Sequence, residues 1–256
     1  MKSICKSIIL NLLLGSFLCV SISSAQVKIL ETEAEMPGTF CSIWEKGDYL
    51  LSDGQFLAVI GTSPRTLRLS YGNYPIDDAL GTILSFIPAG TESLSNMNIG
   101  LPDLRLGDKK QYVFYSVVDH TKKTETDGLD EFTAKSMYSN ATGERAEILT
   151  RYIFFPGQGR VDIKSTITNT GSIEFQDMEY SLNININHYY SFSPFHKERY
   201  PRLNYRVFPK KDHSIAYINR NPLNPDNEKL PGKLGQEESY SVEYTVIVDE
   251  DMTGLM

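Results

Sequence analysis

Apolar and polar residues alternate with a period of two along much of this chain, and the alternation restarts after short clusters of glycine, asparagine and aspartate. Tyr180, Leu182, Ile184 and Ile186 are interleaved with Ser181, Asn183, Asn185 and Asn187. Val161, Ile163 and Ile167 oppose Arg160, Asp162, Lys164, Thr166 and Thr168, and Tyr240, Val242, Tyr244, Val246 and Val248 repeat the arrangement near the end. Successive side chains of a strand point to opposite faces, so this spacing predicts antiparallel sheet with one face buried. The run Phe56–Ile60 is continuously apolar instead, which predicts a strand covered on both faces. Between it and Tyr49–Leu51 stands Asp53-Gly54, a pair suited to the φ > 0 positions of a type I′ hairpin turn.

Other segments complete an all-β reading. Val27–Thr32, Thr66–Tyr71 and Thr82–Ile87 read as strands, the last stopped by Pro88 and Gly90. Gln111–Asp119 reads as a strand with both faces largely covered. Phe132–Tyr138 and Glu147–Phe155 read as strands joined through Asn140-Ala141-Thr142-Gly143, a turn that also matches a glycosylation sequon. Gly90–Lys110 turns polar and carries glycine, which predicts a long surface loop, and His120–Asp130 reads as charged and exposed. No amphipathic helix of respectable length follows Ala25. About a dozen strands with no helix to cover them must close on one another, so the expected fold is one large antiparallel two-sheet β-sandwich over residues 26–256.

The first 25 residues stand apart from this pattern. Lys2 and Lys6 precede an apolar run from Ile8 to Val20, and Ser23-Ser24-Ala25 offers small residues for a signal peptidase, so cleavage is expected after Ala25 and the product is expected to be secreted or periplasmic. The run is too short for a bilayer span, and no other stretch is long and apolar enough. Cleavage removes Cys5 and Cys19 and leaves Cys41 alone, so no intramolecular disulfide is expected and stability must come from burial and sheet hydrogen bonds. The formal charge of −7 falls to −9 without Lys2 and Lys6. An acidic, unclustered balance argues against nucleic acid and anionic membrane as partners.

The phrases GDYLLSDGQFLAVIG (47–61), YPIDDALGTILSFIP (74–88) and the hairpin ending STITNTG (165–171) resemble the galactose mutarotase-like super-sandwich domains at the N-terminus of exported bacterial metallohydrolases of the polymerase-and-histidinol-phosphatase class. The resemblance implies a large sandwich of that type. The metal site of those hydrolases lies in a separate domain with an H-x-H pair, whereas His120, His188, His196 and His213 form no such pair here, so neither a metal nor another cofactor is expected. There is no G-x-S-x-G elbow, no phosphate-binding G-x-x-x-x-G-K and no H-E-x-x-H. Mutarotase-type chemistry needs only a histidine acid facing a carboxylate base; His188 is the candidate acid, with Asp119, Glu179 and Glu243 as candidate bases.

The richest binding surface in the sequence is HYYSFSPFHKERYPRLNY, residues 188–205. It sets Tyr189, Tyr190, Phe192, Phe195 and Tyr200 among His188, His196, Arg199 and Arg202, which combines aromatic faces for a sugar's C–H surface with donors for its hydroxyls. An anchored loop over the end of a sandwich has the same composition. Asn183, Asn185 and Asn187 are either hydroxyl-binding amides on an open face or solvated side chains, and Asp77-Asp78 is either a ligand pair or a turn cap. The sequence thus points to an exported, non-catalytic sandwich that binds a carbohydrate or a protein. A mutarotase-type enzyme and a detached accessory domain of a metallohydrolase are the alternatives.

Overall fold

The computed structural model describes residues 26–32, 44–65, 79–91, 97–122, 130–186, 205–209, 212–221 and 231–249. These form two antiparallel sheets, and no helix occurs among them. The first sheet holds β1 (Gln26–Ile29), β2 (Tyr49–Ser52), β3 (Phe56–Ile60), β4 (Ile83–Pro88), β5 (Met97–Leu106), β6 (Lys109–Tyr112), β11 (Phe175–Ile186) and β14 (Pro231–Leu234). Its order is β1-β2-β3-β4-β5-β11-β14, with β6 beside β5. The second sheet holds β7 (Val117–Lys122), β8 (Asp130–Ser139), β9 (Arg145–Phe155), β10 (Arg160–Asn169), β12 (Tyr205–Pro209), β13 (Ser214–Asn219) and β15 (Ser239–Asp249), in the order β12-β13-β15-β10-β9-β8-β7.

The alternating positions meet between the sheets. Val161, Ile163, Ile167, Val242, Tyr244, Val246 and Val248 are buried in one cluster with Tyr180 and Leu182 from the opposite sheet; the side chains of Ile184 and Ile186 lie outside the described residues. Phe56 and Phe86 of the first sheet meet Phe154 of the second, Phe56 stacked on it at 6.0 Å and Phe86 edge-on at 5.8 Å, and Phe132 meets Phe154 edge-on at 5.8 Å. Each such pair contributes about 0.5–1.5 kcal/mol beyond its burial. The continuous run in β3 has the expected cause. Phe56, Ala58 and Ile60 face the intersheet core, while Val59 joins Leu30, Leu50, Ala79, Leu84 and Ile87 in a second cluster on the other side. Next to that cover, Arg65 makes two bonds to the fully buried carboxylate of Asp48, at 3.1 and 2.5 Å.

Hydroxyl groups cross this apolar interior in a chain. Tyr180 Oη lies 2.6 Å from Ser165 Oγ, Ser165 Oγ 2.6 Å from Thr150 Oγ1, and Thr150 Oγ1 2.5 Å from Tyr115 Oη, which donates to Gly100 O at 2.5 Å. The carbonyl can only accept, so with one proton per hydroxyl every bond runs from Tyr180 toward Gly100. The chain leaves the first sheet at β11, passes through β10 and β9, and returns to the first sheet at β5. Burial, its dominant cause, raises the phenols of Tyr115, Tyr152 and Tyr180 well above the ordinary tyrosine range. They are held as neutral donors.

Four expectations are corrected. His120–Asp130 is not exposed throughout, since His120 is half-buried in β7 and Asp130 is buried at the start of β8. Gly90–Lys110 is not one loop but contains β5 and the start of β6. The alternation there is broken by a bulge: Ile99 pairs Ile184, Leu101 pairs Asn183, and Gly100 lies between them at φ 105°. Core positions consequently change parity, from Met97 and Ile99 to Leu104 and Leu106. Gln111–Asp119 is not one strand either. The chain leaves the first sheet at Tyr112, crosses at 113–116 and enters the second at Val117, so Val113 and Tyr115 are buried while Tyr112 is 72% exposed. The hairpin of β2 and β3 forms as expected, but Asp53 is not among the residues with positive φ. Its buried carboxylate instead accepts from the amides of Gln55 (2.8 Å), Phe56 (2.9 Å) and Gly157. The Asn140 turn is held from within, Asn140 Oδ1 accepting from Thr142 N at 3.1 Å and Glu144 N at 3.0 Å. The expected strand Thr66–Tyr71, Asp77, Asp78 and Cys41 lie outside the described residues.

Candidate functional site

Two-residue periodicity that buries Tyr180, Leu182, Leu104 and Leu106 turns their neighbours outward, and the register of β5 with β6 and β11 arranges these neighbours in rows. In one row Lys110, Arg105 and Glu179 stand side by side; in the next, Tyr112, Asp103 and Ser181; in a third, Leu101 and Asn183. Arg105 reaches Glu179 at 3.7 Å, and Lys110 reaches Asp103 at 3.3 Å. The formal charges along this face cancel. At its margin Tyr112 is 72% exposed, and its ring lies nearly parallel to that of Phe114, 20° between planes and 6.4 Å between centroids.

Tyr112 gives up little of its surface to the protein's own core, and large exposed apolar side chains of this kind mark interaction sites when they adjoin polar groups. Here they adjoin an amide, a hydroxyl and two carboxylates. The arrangement can stack an apolar ring face on Tyr112 while Asn183, Ser181 and Asp103 exchange hydrogen bonds with hydroxyl groups. It contains no nucleophile paired with a base.

The outer face of the second sheet differs, because its polar groups satisfy one another. Arg151 clasps Glu131 at 2.7 and 2.9 Å, Lys164 pairs with Glu243 at 2.9 Å, and Thr166 bonds Ser241 and Thr168 bonds Ser239, each at 2.8 Å. Arg160 is paired to Asp162, which also accepts from Thr245 at 2.7 Å. Burial raises the Asp162 carboxyl, but the bonds from Arg160 and Thr245 outweigh it and hold the group below the usual carboxylate range.

The candidate catalytic carboxylates are not brought together. Glu179 faces out from the first sheet, Glu243 faces out from the second against Lys164, and Asp119 is exposed on the edge strand β7. His188, Tyr189, Tyr190, Phe192, Phe195, His196, Arg199, Tyr200 and Arg202 lie outside the described residues, as do Asn187 and the side chain of Asn185. The two described histidines each meet an aspartate: His120 Nε2 is 3.0 Å from Asp130 Oδ1, with its ring 4.7 Å from that of Phe132, and His213 Nδ1 is 2.8 Å from Asp212. Among the described residues no three His, Cys, Asp or Glu side chains gather as a metal site would need, and no helix is long and apolar enough to cross a membrane.

Tyr112, Asp103 and Arg105 were missed by sequence reasoning because they fell in the expected loop and mis-set strand. A signal was present: Leu104 and Leu106 alternate up to Gly107-Asp108, and Leu106 pairs directly with Lys109 around that two-residue turn.

No protein-family model matches the chain, and no curated protein sequence does. Solved structures with some likeness include the galactosidase domain of the alpha-galactosidase-sucrose kinase AgaSK, 10% identical over 79% of this chain and 40% of that one, with a TM-score of 0.40. Another is the GH36 alpha-galactosidase AgaA from Geobacillus stearothermophilus, 11% identical over 88% of this chain and 41% of that one, with a TM-score of 0.38. The chain thus spans about two fifths of the length of these solved chains.

Proposed function

We propose that this chain is a non-catalytic binding module that takes a neutral carbohydrate on the outer face of its first sheet. The single observation that carries the reading is Tyr112, 72% exposed, lying almost parallel to Phe114 at the edge of a row that also holds Asp103 and Ser181. A saccharide presents an apolar C–H face and a rim of hydroxyls, and this juxtaposition offers a counterpart to each. Because Arg105 and Lys110 are matched by Glu179 and Asp103, the face favours a ligand without net charge. The aromatic segment His188–Arg202 begins two residues after β11 ends and stays a candidate for the same ligand. Export after Ala25 belongs to this reading, and a chain recovered from its host with an intact Met1 would remove it.

The test is calorimetry with soluble glycans chosen from an array screen. Tyr112→Ala should weaken binding by about 1–3 kcal/mol, the usual loss for an interface aromatic, with an unchanged melting curve. An array on which no glycan binds, or a Tyr112→Ala variant that binds like wild type, contradicts the proposal. The mutarotase alternative turns on His188, which lies outside the described residues. The accessory-domain alternative rests on the sequence resemblance alone.

A further inference from the structure

At one end of the sandwich the described parts of the two sheets leave an opening between them. The β2–β3 hairpin (Gly54, Gln55), the end of β4 (Pro88), the β9–β10 turn (Gly157, Gln158, Gly159) and the end of β15 (Val248, Asp249) surround a cleft of about 520 Å³. That volume is within the roughly 300–1,000 Å³ of small-molecule sites.

The cleft has a fixed floor and a largely exposed rim. Asp53, buried beneath the hairpin, bonds the amides of Gln55 and Phe56 in the first sheet and Gly157 in the second, so one carboxylate sets the separation of the two walls. Val248 N donates to Gly159 O at 2.8 Å and Ala89 N to Gln55 O at 2.7 Å, which ties the other two segments in. Gly159 is a glycine of necessity, since a Cβ there would lie 2.5 Å from Val248 O. A Cβ on Gly157 would meet nothing within 4 Å; its missing side chain keeps that wall open. By contrast, the side-chain amides of Gln55 and Gln158 are exposed and make no hydrogen bond among the described residues.

We propose that this cleft is a second binding site, for a small neutral polyhydroxylated molecule. Among the described residues the lining has no lysine, arginine or histidine to attract an anion and no aromatic ring to stack on a flat apolar ligand. What it offers is two amides that donate and accept, the Asp249 carboxylate that accepts, and glycine backbone that a ring can approach closely. Vicinal hydroxyls are the groups that use all three. The site is at a strand end, remote in register from Tyr112, and does not rest on the reading of the outer face.

Saturation-transfer NMR on the purified chain tests it, with myo-inositol, D-galactose and D-glucose as neutral probes and D-glucuronate as the anionic control. At least one neutral probe should receive saturation and glucuronate should not. Gln55→Ala and Gln158→Ala, both at exposed positions and made in a Tyr112→Ala background so that the outer face does not contribute, should each weaken the remaining binding about five- to tenfold, the loss of one or two hydrogen bonds. In that background, transfer to no neutral probe, equal transfer to glucuronate, or glutamine variants that bind like their parent would each overturn it.

Discussion

Gly100 carries more of this fold than any apolar residue of its strand. It is the bulge that shifts the parity of β5, its carbonyl ends the buried hydroxyl chain, and a Cβ placed on it would fall 2.1 Å from Tyr152 Oη at a backbone φ of 105°. Gly100→Ala should therefore cost at least about 2 kcal/mol, through both a strained φ and a clash with a fully buried ring. Urea denaturation checks this, and a variant within about 0.5 kcal/mol of wild type would show that the bulge relaxes freely. The phenols around Gly100 set a pH dependence. Tyr115, Tyr152 and Tyr180 hold their protons more tightly when folded than when unfolded, so their contribution is fully present below about pH 10, the ordinary tyrosine value, and is lost as pH rises beyond it. A spectrophotometric titration should show these three ionising only together with unfolding; early, reversible ionisation of all tyrosines in the folded protein would contradict their burial.

At the scale of the element, legibility followed the regularity of the ladder. β10, β11 and β15 run ten or more residues each, and Val161, Ile163, Ile167, Tyr180, Leu182, Val242, Tyr244, Val246 and Val248 of the expected alternation face the core. The β2–β3 hairpin was equally plain, since both flanking runs are apolar and Asp53-Gly54 separates them. β5 was illegible because a bulge changes parity in mid-strand, so two correct halves read as no pattern. The 113–116 crossover was illegible because aromatic residues there continue an alternation whose inner face changes sheet. Asp53 shows a third kind of limit: its residue type marks a turn, but only the fold shows that its carboxylate also reaches Gly157, 104 residues away. Asp53→Ala leaves three amide donors without their acceptor and should lose about 2–4 kcal/mol. Asp53→Asn keeps one acceptor oxygen and should lose less. Equal losses in thermal melts of the two variants would mean that the carboxylate's bridging role is unimportant.

For the whole molecule, the sandwich leaves two unlike surfaces. The second sheet turns out a face on which charges and hydroxyls are already paired, and the first turns out one where an exposed aromatic stack adjoins half-exposed Asp103, Ser181 and Asn183. All-β architecture and a two-sheet interior were readable from periodicity, but which sheet would present a receptive face was not. That depends on the register of β5, β6 and β11, and only Asn183 and Glu179 of its members had been singled out. The most direct measurement is an amide and side-chain NMR titration of the purified chain with the glycan that binds it best. Shifts at Leu101, Asp103, Arg105, Tyr112, Ser181 and Asn183, with Lys164, Thr166 and Ser241 unmoved, are the expected result. Shifts on the second sheet with the first unmoved would contradict the account.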